Sequence, residues 1–315
     1  MNIFLSTLTQ TVFLFSLIII GFIMGKGKLI PEQSSAVLAK FENIVFLPAL
    51  ILGTFIENFT VERLAAARNL LLVSFAVAFV TMPIAIGISK CLAKDKYTQN
   101  IYTYGLVFSN FGFMGNAVVN ALFPEMFFEY LLYTIPLWIL IYLWGVPVLL
   151  IAGSGQQQSM KDRLKAFANP MLIPMLIGML IGLTSIRLPQ WISNMVSSLG
   201  ACMSPVAMLL TGVTVSKIQL QKTFKDFRLY LISAIRLLVI PLVFIFTARF
   251  IPFTDTVFSC AACALAMPLG LSPVVVPAAY GKDTSTAAGL SVVSHLLACI
   301  SIPLVFMIMK LINSY

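Results

Sequence analysis

The chain has 315 residues, of which 60% are hydrophobic and only 10% are charged, and its formal net charge is +9. Because soluble domains carry about 25% charged residues, this composition excludes an ordinary water-soluble protein. Ten membrane helices of ~20 residues each would leave only about 100 residues for termini and loops, which excludes a large domain outside the bilayer. Excess basic residues are typical of cytoplasmic loops, so we expect contact with the lipid bilayer and no nucleic-acid partner.

Long apolar runs predict ten membrane-spanning helices, called spans 1 to 10 in chain order. The predicted spans cover residues 3–25, 36–56, 70–89, 100–123, 127–152, 166–186, 193–216, 229–249, 256–281 and 285–309. Between spans 5 and 6, the polar stretch 154–165 predicts a short flexible linker rather than a domain. The sequence therefore predicts an all-α polytopic membrane protein.

Basic residues fall mainly on one side of this arrangement. The loops after odd-numbered spans hold fourteen of the twenty Lys and Arg residues, the opposite side holds five, and Arg236 lies within span 8. Because cytoplasmic loops are enriched in Lys and Arg, the linker is predicted to be cytoplasmic and both termini to lie outside. The expected location is the cytoplasmic membrane of the cell.

The two halves of the chain resemble each other at a nearly constant offset. Five pairs recur 156–158 residues apart: GFIMG at Gly21–Gly25 with GMLIG at Gly178–Gly182, Pro48 with Pro205, Pro83 with Pro241, NAVVNALF at Asn116–Phe123 with PVVVPAAY at Pro273–Tyr280, and Pro147 with Pro303. These pairs predict two repeats, 1–153 and 166–315. An odd number of spans per repeat inserts the second repeat upside down, and inverted repeats are typical of secondary transporters.

Spans 4 and 9 have compositions that do not suit continuous helices. The middle of span 4 is SNFGFMGN at Ser109–Asn116, and the middle of span 9 is MPLGLSP at Met267–Pro273. Proline removes a backbone donor and glycine weakens a helix, so both spans are expected to be broken. Irregular backbone at membrane depth persists only inside protein or beside a watery cavity, so the breaks are expected to cross each other within the protein.

Such a crossing would present free N–H groups and the positive end of each second half-helix to an anion. Ser272 followed by Pro273 is a typical helix start, and Asn116 stands at the matching place, where it could cap the other half-helix or bind ligand directly. Asn110 and Asn120 add amide groups, with Asn120 on the helical face of Asn116. The alternative is that both helices are only kinked and their amides are satisfied internally.

Four motifs along the whole chain carry a family resemblance: FLPALIL at Phe46–Leu52, NFGFMGN at Asn110–Asn116, RLLVIPL at Arg236–Leu242 and MPLGLSPVVVPAAYGKD at Met267–Asp283. In these motifs the sequence resembles the auxin efflux carrier family, which includes plant PIN-type carriers and bacterial permeases assigned to malate, malonate and related organic anions. The resemblance implies ten helices in two inverted five-helix repeats. It also implies a scaffold of spans 1, 2, 6 and 7, a transport domain of spans 3–5 and 8–10, and a homodimer formed through the scaffold.

In the plant carriers of this family, the crossing of helices 4 and 9 holds the substrate carboxylate. Carried over to this chain, the resemblance implies a substrate site formed by Asn110, Gly112, Gly115 and Asn116, with Pro268, Gly270, Ser272 and Pro273 opposite. Plant-type carriers have a proline at the helix 4 crossing, whereas this chain has Asn116 there. The difference argues against auxin itself and favours another mono- or dicarboxylate.

Three ionisable residues in the predicted spans are candidates for a charge or proton role, because such groups are costly in a membrane. Arg236 could attract an anionic substrate, pair with a buried acid or extend to the cytoplasmic headgroups. His295 shares a helical face with Ser291 and could either carry a proton or only bond between helices. Glu42, at the start of span 2, is the only acid expected within the bilayer.

No motif predicts a metal or cofactor site. One histidine cannot complete a zinc site with the five cysteines, which lie in or near apolar segments. No acid pair lies in mid-span, which argues against sodium coupling, and no D-x-x-D or H-E-x-x-H motif supports an enzyme. We therefore expect a secondary active or facilitative transporter of a small organic anion, with either proton coupling or simple facilitated flux. The alternative is a sodium-coupled symporter or cation/proton antiporter of similar fold.

Overall fold

Helical structure accounts for all regular elements in the part of the chain that the computed structural model describes, which is residues 2–31, 33–152, 159, 172–184, 186, 188–216, 226–270, 272–279 and 281–313. Within those residues a single isolated bridge, between Ser109 and Leu269, is the only extended pairing. The predicted all-α fold is thus confirmed for the described residues. Apart from residue 159, the predicted linker 154–165 lies outside them.

The α-helices are numbered in chain order. The first half of the chain contains α1 (Asn2–Lys26), α2 (Ser34–Phe41), α3 (Leu47–Asn58), α4 (Val61–Leu92), α5 (Lys96–Val107), α6 (Asn116–Leu122) and α7 (Phe127–Leu140). The second half contains α8 (Leu172–Thr184), α9 (Gln190–Ala201), α10 (Met203–Ser216), α11 (Phe227–Ala234), α12 (Ile240–Ala248), α13 (Asp255–Leu265), α14 (Ser272–Ala279) and α15 (Ser285–Asn313). Wider π-helical turns occur at Glu42–Phe46, Phe111–Gly115, Ile141–Ile151 and Ile235–Val239, and a 3₁₀ turn at Pro124–Met126 precedes α7.

Six of these helical stretches are long and apolar enough to cross a membrane, as judged by length and composition. They are Ser34–Asn58, Ala67–Leu92, Pro124–Ile151, Gln190–Ser216, Phe227–Ala248 and Ser285–Ile312. Shorter apolar helices lie at Val12–Lys26, Phe111–Leu122, Leu172–Thr184 and Asp255–Leu265. The chain is therefore a polytopic membrane protein, and helices occur in all ten predicted spans. Spans 4 and 9 contribute only short helices because both are interrupted.

Some helix bounds differ from the predicted spans. Helix α4 (Val61–Leu92) extends well beyond predicted span 3 (70–89). Its first turns carry the polar residues Arg63 and Arg68, which an apolar run does not include. Asp95 begins α5 as a helix cap, since its carboxylate accepts a hydrogen bond from the Thr98 N–H at 2.8 Å. This bond holds the pKa of Asp95 below its ordinary value.

Contacts divide the chain into two units, which are described separately. Unit 1 comprises Met1–Arg68, Asn116–Phe128 and Ala166–Lys217, and unit 2 comprises Asn69–Gly115, Glu129–Lys165 and Ile218–Tyr315. In unit 1, α1 packs along α10 and α3 packs along α8. In unit 2, α15 is the central helix, because it contacts α5, α11, α12, α13 and α14.

Glycines allow two close helix contacts in unit 1. A methyl group at Gly21 would overlap the Leu209 carbonyl oxygen across the contact of α1 with α10. A methyl group at Gly178 would lie 3.0 Å from the Leu52 carbonyl oxygen across the contact of α8 with α3. Only glycine leaves the space that lets each backbone approach its neighbour this closely. The two GxxxG sequences therefore form helix–helix contacts.

Candidate functional site

The break in span 4 follows α5, which ends at Val107. The next residue has an extended backbone, with φ −109° and ψ 111°, and helical geometry returns only in the π-helical turn Phe111–Gly115. No proline lies in this segment. The break therefore depends on partners that accept and donate the hydrogen bonds that the helix gives up.

Those partners come from the break in span 9, as the sequence predicted. The Asn110 N–H donates to the Pro268 carbonyl oxygen at 2.7 Å, and Ser109 forms the antiparallel bridge with Leu269. The Ser109 hydroxyl donates to the Ala264 carbonyl oxygen, also at 2.7 Å. Both breaks lie in unit 2. Hydrogen bonds between them satisfy backbone groups that have no partner within their own interrupted helix.

The break in span 9 separates α13 from α14. Pro268 is buried in it, and the Leu269 N–H donates to the Ser294 hydroxyl of α15 at 3.2 Å. The second half-helix begins at Ser272, followed by Pro273, where the sequence predicts a helix start. Ser272 is half-buried and Pro273 is buried. The backbone of this break is therefore fixed from two directions, by span 4 and by α15.

Arg236 lies beside both breaks in unit 2 and is only 2% exposed. Its guanidinium donates to the carbonyl oxygens of Leu106 at 2.9 Å, Ala264 at 3.3 Å and Met267 at 3.3 Å. Leu106 and Ala264 lie in the last turns of α5 and α13, where carbonyl groups have no partner within the helix. The predicted alternative that Arg236 extends to the headgroups is wrong, because these carbonyl groups hold it inside the protein.

The charge of Arg236 compensates two helix dipoles at once. The C-terminal end of a helix carries a partial negative charge, and a cation placed there stabilises it. Arginine suits this position because its planar group offers five N–H donors in different directions. A single positive side chain thereby bonds the ends of both first half-helices.

His295 contacts the same crossing from α15 and is 4% exposed. Its Nε2 lies 3.4 Å from the Nδ2 of Asn110, and its Nδ1 lies 2.7 Å from the Ser291 carbonyl oxygen. Ser291 is also buried, so this face of α15 points into unit 2 as predicted. His295 therefore joins the central helix to the break in span 4.

Two glycines of the π-helical turn pack against aromatic side chains within unit 2. A methyl group at Gly112 would overlap the Trp138 ring, and one at Gly115 would overlap the Tyr130 hydroxyl. Tyr130 donates to the Phe111 carbonyl oxygen at 3.1 Å. Gly112 and Gly115 thus have a packing role that the sequence did not predict. Gly270, by contrast, is half-buried, and a methyl group there would be 3.7 Å from the Asn110 Cα.

Asn116 and Asn120 lie in α6 and belong to unit 1. Asn116 is fully buried, and within the described residues neither its Oδ1 nor its Nδ2 has a hydrogen-bond partner. It follows the π-helical turn and does not stand at the start of the half-helix, so the prediction that it caps this helix is wrong. Asn120 is half-buried and lines a cavity of about 370 Å³ in unit 1, together with Glu57 and Ser193.

Glu42 does not start span 2, because that helix begins at Ser34. The carboxyl group lies where α2 passes into a π-helical turn, and it is fully buried. Among the described residues neither of its oxygens has a hydrogen-bond partner. The predicted span 36–56 already included Lys40 and Glu42, and the helix continues through both residues.

Sequence reasoning missed Trp138 and Tyr130, which pack on the span 4 break. Trp138 lies 157 residues before His295, so the repeat offset places both at comparable positions. Each contacts a residue of the broken span 4 within unit 2: Trp138 contacts Gly112 and His295 contacts Asn110. The offset was a signal that could have identified Trp138.

Comparison with protein families identifies one that covers most of the chain. The family model described as membrane transport protein matches residues 6–306, which is nearly the whole chain. No curated protein matches.

Proposed function

We propose, from the premise that the chain belongs to the auxin efflux carrier family, that it is a secondary active or facilitative transporter of a small organic anion. Family membership makes the chain a membrane transporter. The proposed substrate is a mono- or dicarboxylate such as malate or malonate, or an auxin-like carboxylate. The proposed binding groups at the crossing in unit 2 are Asn110, Gly270 and Ser272. Asn116 of unit 1 is proposed separately as a residue that binds the substrate.

The bonding of Arg236 is the observation that carries this proposal. Carbonyl oxygens at the C-terminal ends of α5 and α13 would repel an anion, and the guanidinium neutralises them at 2.9–3.3 Å. The N-terminal ends of the second half-helices, which begin at Phe111 and Ser272, keep their partial positive charge. Helix N-termini are general binding sites for carboxylate and phosphate groups. A crossing with this charge distribution favours an anion.

The same bonding argues against the sodium-coupled alternative. A Na⁺ site at an unwound helix would need several oxygen ligands, many of them backbone carbonyl groups. At this crossing the carbonyl oxygens of Leu106, Ala264 and Met267 already accept hydrogen bonds from Arg236.

Swapped contacts in unit 1 support the proposed inverted repeat. Gly21 contacts Leu209, and Gly178 contacts Leu52. Adding 157 to Gly21 gives Gly178, and subtracting 157 from Leu209 gives Leu52. A second set follows the same rule, since Gly25 contacts Ser216 and Gly182 contacts Phe59. Contacts exchanged in this way are expected of two repeats related by a pseudo-two-fold axis.

The proposed ten-helix arrangement has a scaffold of spans 1, 2, 6 and 7 and a transport domain of spans 3–5 and 8–10. The two contact units support this division, except that Asn116–Phe128 groups with the first set of spans. Movement of the transport domain would open the crossing to each side in turn. We place the protein in the cytoplasmic membrane as a homodimer, with the termini outside, on the basis of the charge bias and the family.

Thermal shift with matched ligands tests the substrate class. Purified protein is heated with acetate, malonate, malate, succinate or indole-3-acetate, and in parallel with the neutral amides of the same acids. At least one acid should raise the melting temperature while its amide does not, because only the acid carries the charge that the crossing binds. The proposal is wrong if no acid raises it, or if the amides act equally.

Flux into proteoliposomes then tests transport and its coupling. The acid that binds is offered under an imposed pH gradient, an imposed Na⁺ gradient, or neither. Protein-dependent flux that needs no Na⁺ gradient supports the proposal. Flux that occurs only with a Na⁺ gradient would instead establish the sodium-coupled alternative.

A further inference from the structure

The contact between His295 and Asn110 offers a way to couple a proton to the substrate site. His295 is the single histidine of the chain, and Asn110 is the polar side chain at the break in span 4. Both side chains are more than nine-tenths buried, with 4% and 8% exposure. The sequence left open whether His295 carries a proton, and its partner indicates what that proton would change.

The donor and acceptor roles of its neighbours determine which nitrogen of the neutral His295 ring carries the proton. A carbonyl oxygen can only accept, so the 2.7 Å contact of Nδ1 with the Ser291 carbonyl requires the proton on Nδ1. In the neutral ring Nε2 then has a lone pair, and it accepts from the Asn110 Nδ2 at 3.4 Å. The amide NH₂ is thereby directed at the histidine, and its oxygen is directed elsewhere.

The oxygen of that amide lies close to the half-buried Gly270. A methyl group at Gly270 would lie 3.9 Å from the Asn110 Oδ1. Gly270 stands two residues before the start of α14, where the proposed anion site lies. When His295 is neutral, the Asn110 side chain therefore presents its amide oxygen to the proposed anion site. This oxygen can only accept hydrogen bonds, and so can a carboxylate, so the two cannot bond to each other.

No buried acid on the elements that make the main contacts with α15 would stabilise a charged His295, within the part of the chain described. The charged and titratable residues of the elements packed against α15 are Lys96, Tyr97, Tyr102 and Tyr104 on α5, Arg228 and Tyr230 on α11, Arg236 in the π-helical turn, and Asp255, Cys260 and Cys263 on α13. α12 and α14 carry none, and α15 itself adds Cys299 and Lys310. The one acid among them, Asp255, is exposed at the start of α13. An anionic substrate would be the natural counterion of an imidazolium here.

We propose that His295 and Asn110 form a proton-linked switch for the substrate anion. When Nε2 takes up a proton from the aqueous phase it becomes a donor, and the Asn110 amide turns over so that Oδ1 accepts from it. The amide NH₂ then points toward Gly270, where it donates to a carboxylate. One proton binds with each anion and returns to water when the anion leaves. The switch rests on the proposed function, because it acts at the same crossing.

Proton binding by His295 and anion binding at the crossing are thermodynamically linked, so each affects the affinity for the other. If the proton raises the affinity for the anion by some factor, the anion raises the proton affinity of His295 by the same factor. Where binding takes up one full proton, the affinity for an anion of constant charge falls about tenfold for each unit of rising pH. A histidine that only bridges two helices would produce no such slope.

The ring can be observed directly, since there is no other histidine. Protein labelled with ¹⁵N-histidine is reconstituted in nanodiscs, and the imidazole signals are followed between about pH 6 and 8. We expect a neutral ring protonated on Nδ1 at the upper end. Each acid of the thermal-shift panel is then added at constant pH, and the acid that raises the melting temperature should convert the ring to imidazolium. The neutral amides should leave it unchanged.

Two variants complete the test. His295→Gln keeps a hydrogen-bonding side chain but cannot bind a proton, so its affinity for the acid should be independent of pH. Ser301→Ala on the same helix removes a buried hydroxyl that has no partner among the described residues, and it should keep the wild-type pH dependence.

The outcomes separate the switch from the proposed function. A ring protonated on Nε2, or an acid that raises the melting temperature without protonating the ring, overturns the switch and leaves the proposed function intact. Because the signals come from the wild-type protein, this holds even if His295→Gln fails to fold. If no acid raises the melting temperature, the proposed function fails and the switch fails with it.

Discussion

Replacing Arg236 with methionine tests the role of the buried guanidinium in holding the two breaks. Methionine has similar length and is apolar, so the change removes the charge and three hydrogen bonds but leaves little empty space. The Ala264 carbonyl oxygen keeps a donor, because the Ser109 hydroxyl also bonds it. The carbonyl oxygens of Leu106 and Met267 lose the donor that Arg236 provides.

The expected loss of stability follows from these two carbonyl groups. A buried acceptor left without a donor costs about 1–3 kcal/mol, so two cost about 2–6 kcal/mol. The variant no longer buries a charge, and that relief offsets part of the cost. We therefore expect a net loss of about 2–3 kcal/mol in the free energy of unfolding. Arg236→Lys should lose less, because an ammonium group keeps the charge but not the planar fork.

Unfolding by sodium dodecyl sulfate in mixed micelles measures this difference. Arg249→Met is the matched control, because Arg249 follows the same helix at an exposed position and should change stability by less than about 0.5 kcal/mol. Carboxylate binding by Arg236→Lys should exceed that of Arg236→Met. An Arg236→Met variant that is as stable as Arg249→Met, and that binds the acid as wild type does, would refute the reasoning.

Three further changes have defined outcomes. Asn116→Ala should weaken carboxylate binding at least about tenfold without lowering stability, because the buried amide has no partner within the described residues; wild-type affinity would exclude it from the site. Gly21→Ala and Gly178→Ala should each lower stability by about 1–3 kcal/mol, since both overpack a helix contact, whereas Gly87→Ala, with open space around it, should not. Asp95→Ala should remove a helix cap worth about 1 kcal/mol. The carboxylate of Asp95 has a lowered pKa, so its contribution is present above the ordinary value of 3.8 and is lost as the pH falls through the folded-state pKa, which unfolding at graded pH would detect.

Local sequence was sufficient for the helices and for the positions of the breaks. Apolar runs located helices in all ten predicted spans, and glycine and proline located the interruptions, because both signals act over a few residues. The helix start at Ser272 was predicted for the same reason. The third span was predicted too short, because helix formation continues through Arg63 and Arg68 where hydropathy does not.

Side-chain roles at the crossing could not be predicted, since they depend on residues distant in sequence. Arg236 bonds carbonyl groups of residues 28 to 130 positions away, and no local pattern indicates which of three roles an arginine in a span will take. His295 contacts Asn110 from 185 positions away. Trp138 packs against Gly112 from 26 positions further along the chain, and this contact was not predicted either.

The helix breaks recur in both halves of the chain, but the ionisable residues Arg236 and His295 do not. At the offset of 158 that relates Pro83 to Pro241, the position matching Arg236 is Ala78, which is also buried. At offsets of 156 and 157, the positions matching His295 are Ile139 and Trp138. Each ionisable group of the crossing thus occurs once, although the broken helices occur twice.

This asymmetry has a physical reason. In the proposed inverted repeat, two symmetry-related arginines at the crossing would lie close together and repel each other in a medium of low dielectric constant. A single guanidinium avoids this repulsion and still reaches both first half-helices, because its donors point in several directions. The proposed repeat would therefore supply two helix breaks, while the proposed site for one anion would need only one fixed cation and one titratable group. Introducing a second arginine, as in Ala78→Arg, should accordingly destabilise the protein strongly, and a stable Ala78→Arg variant in unfolding assays would contradict this argument.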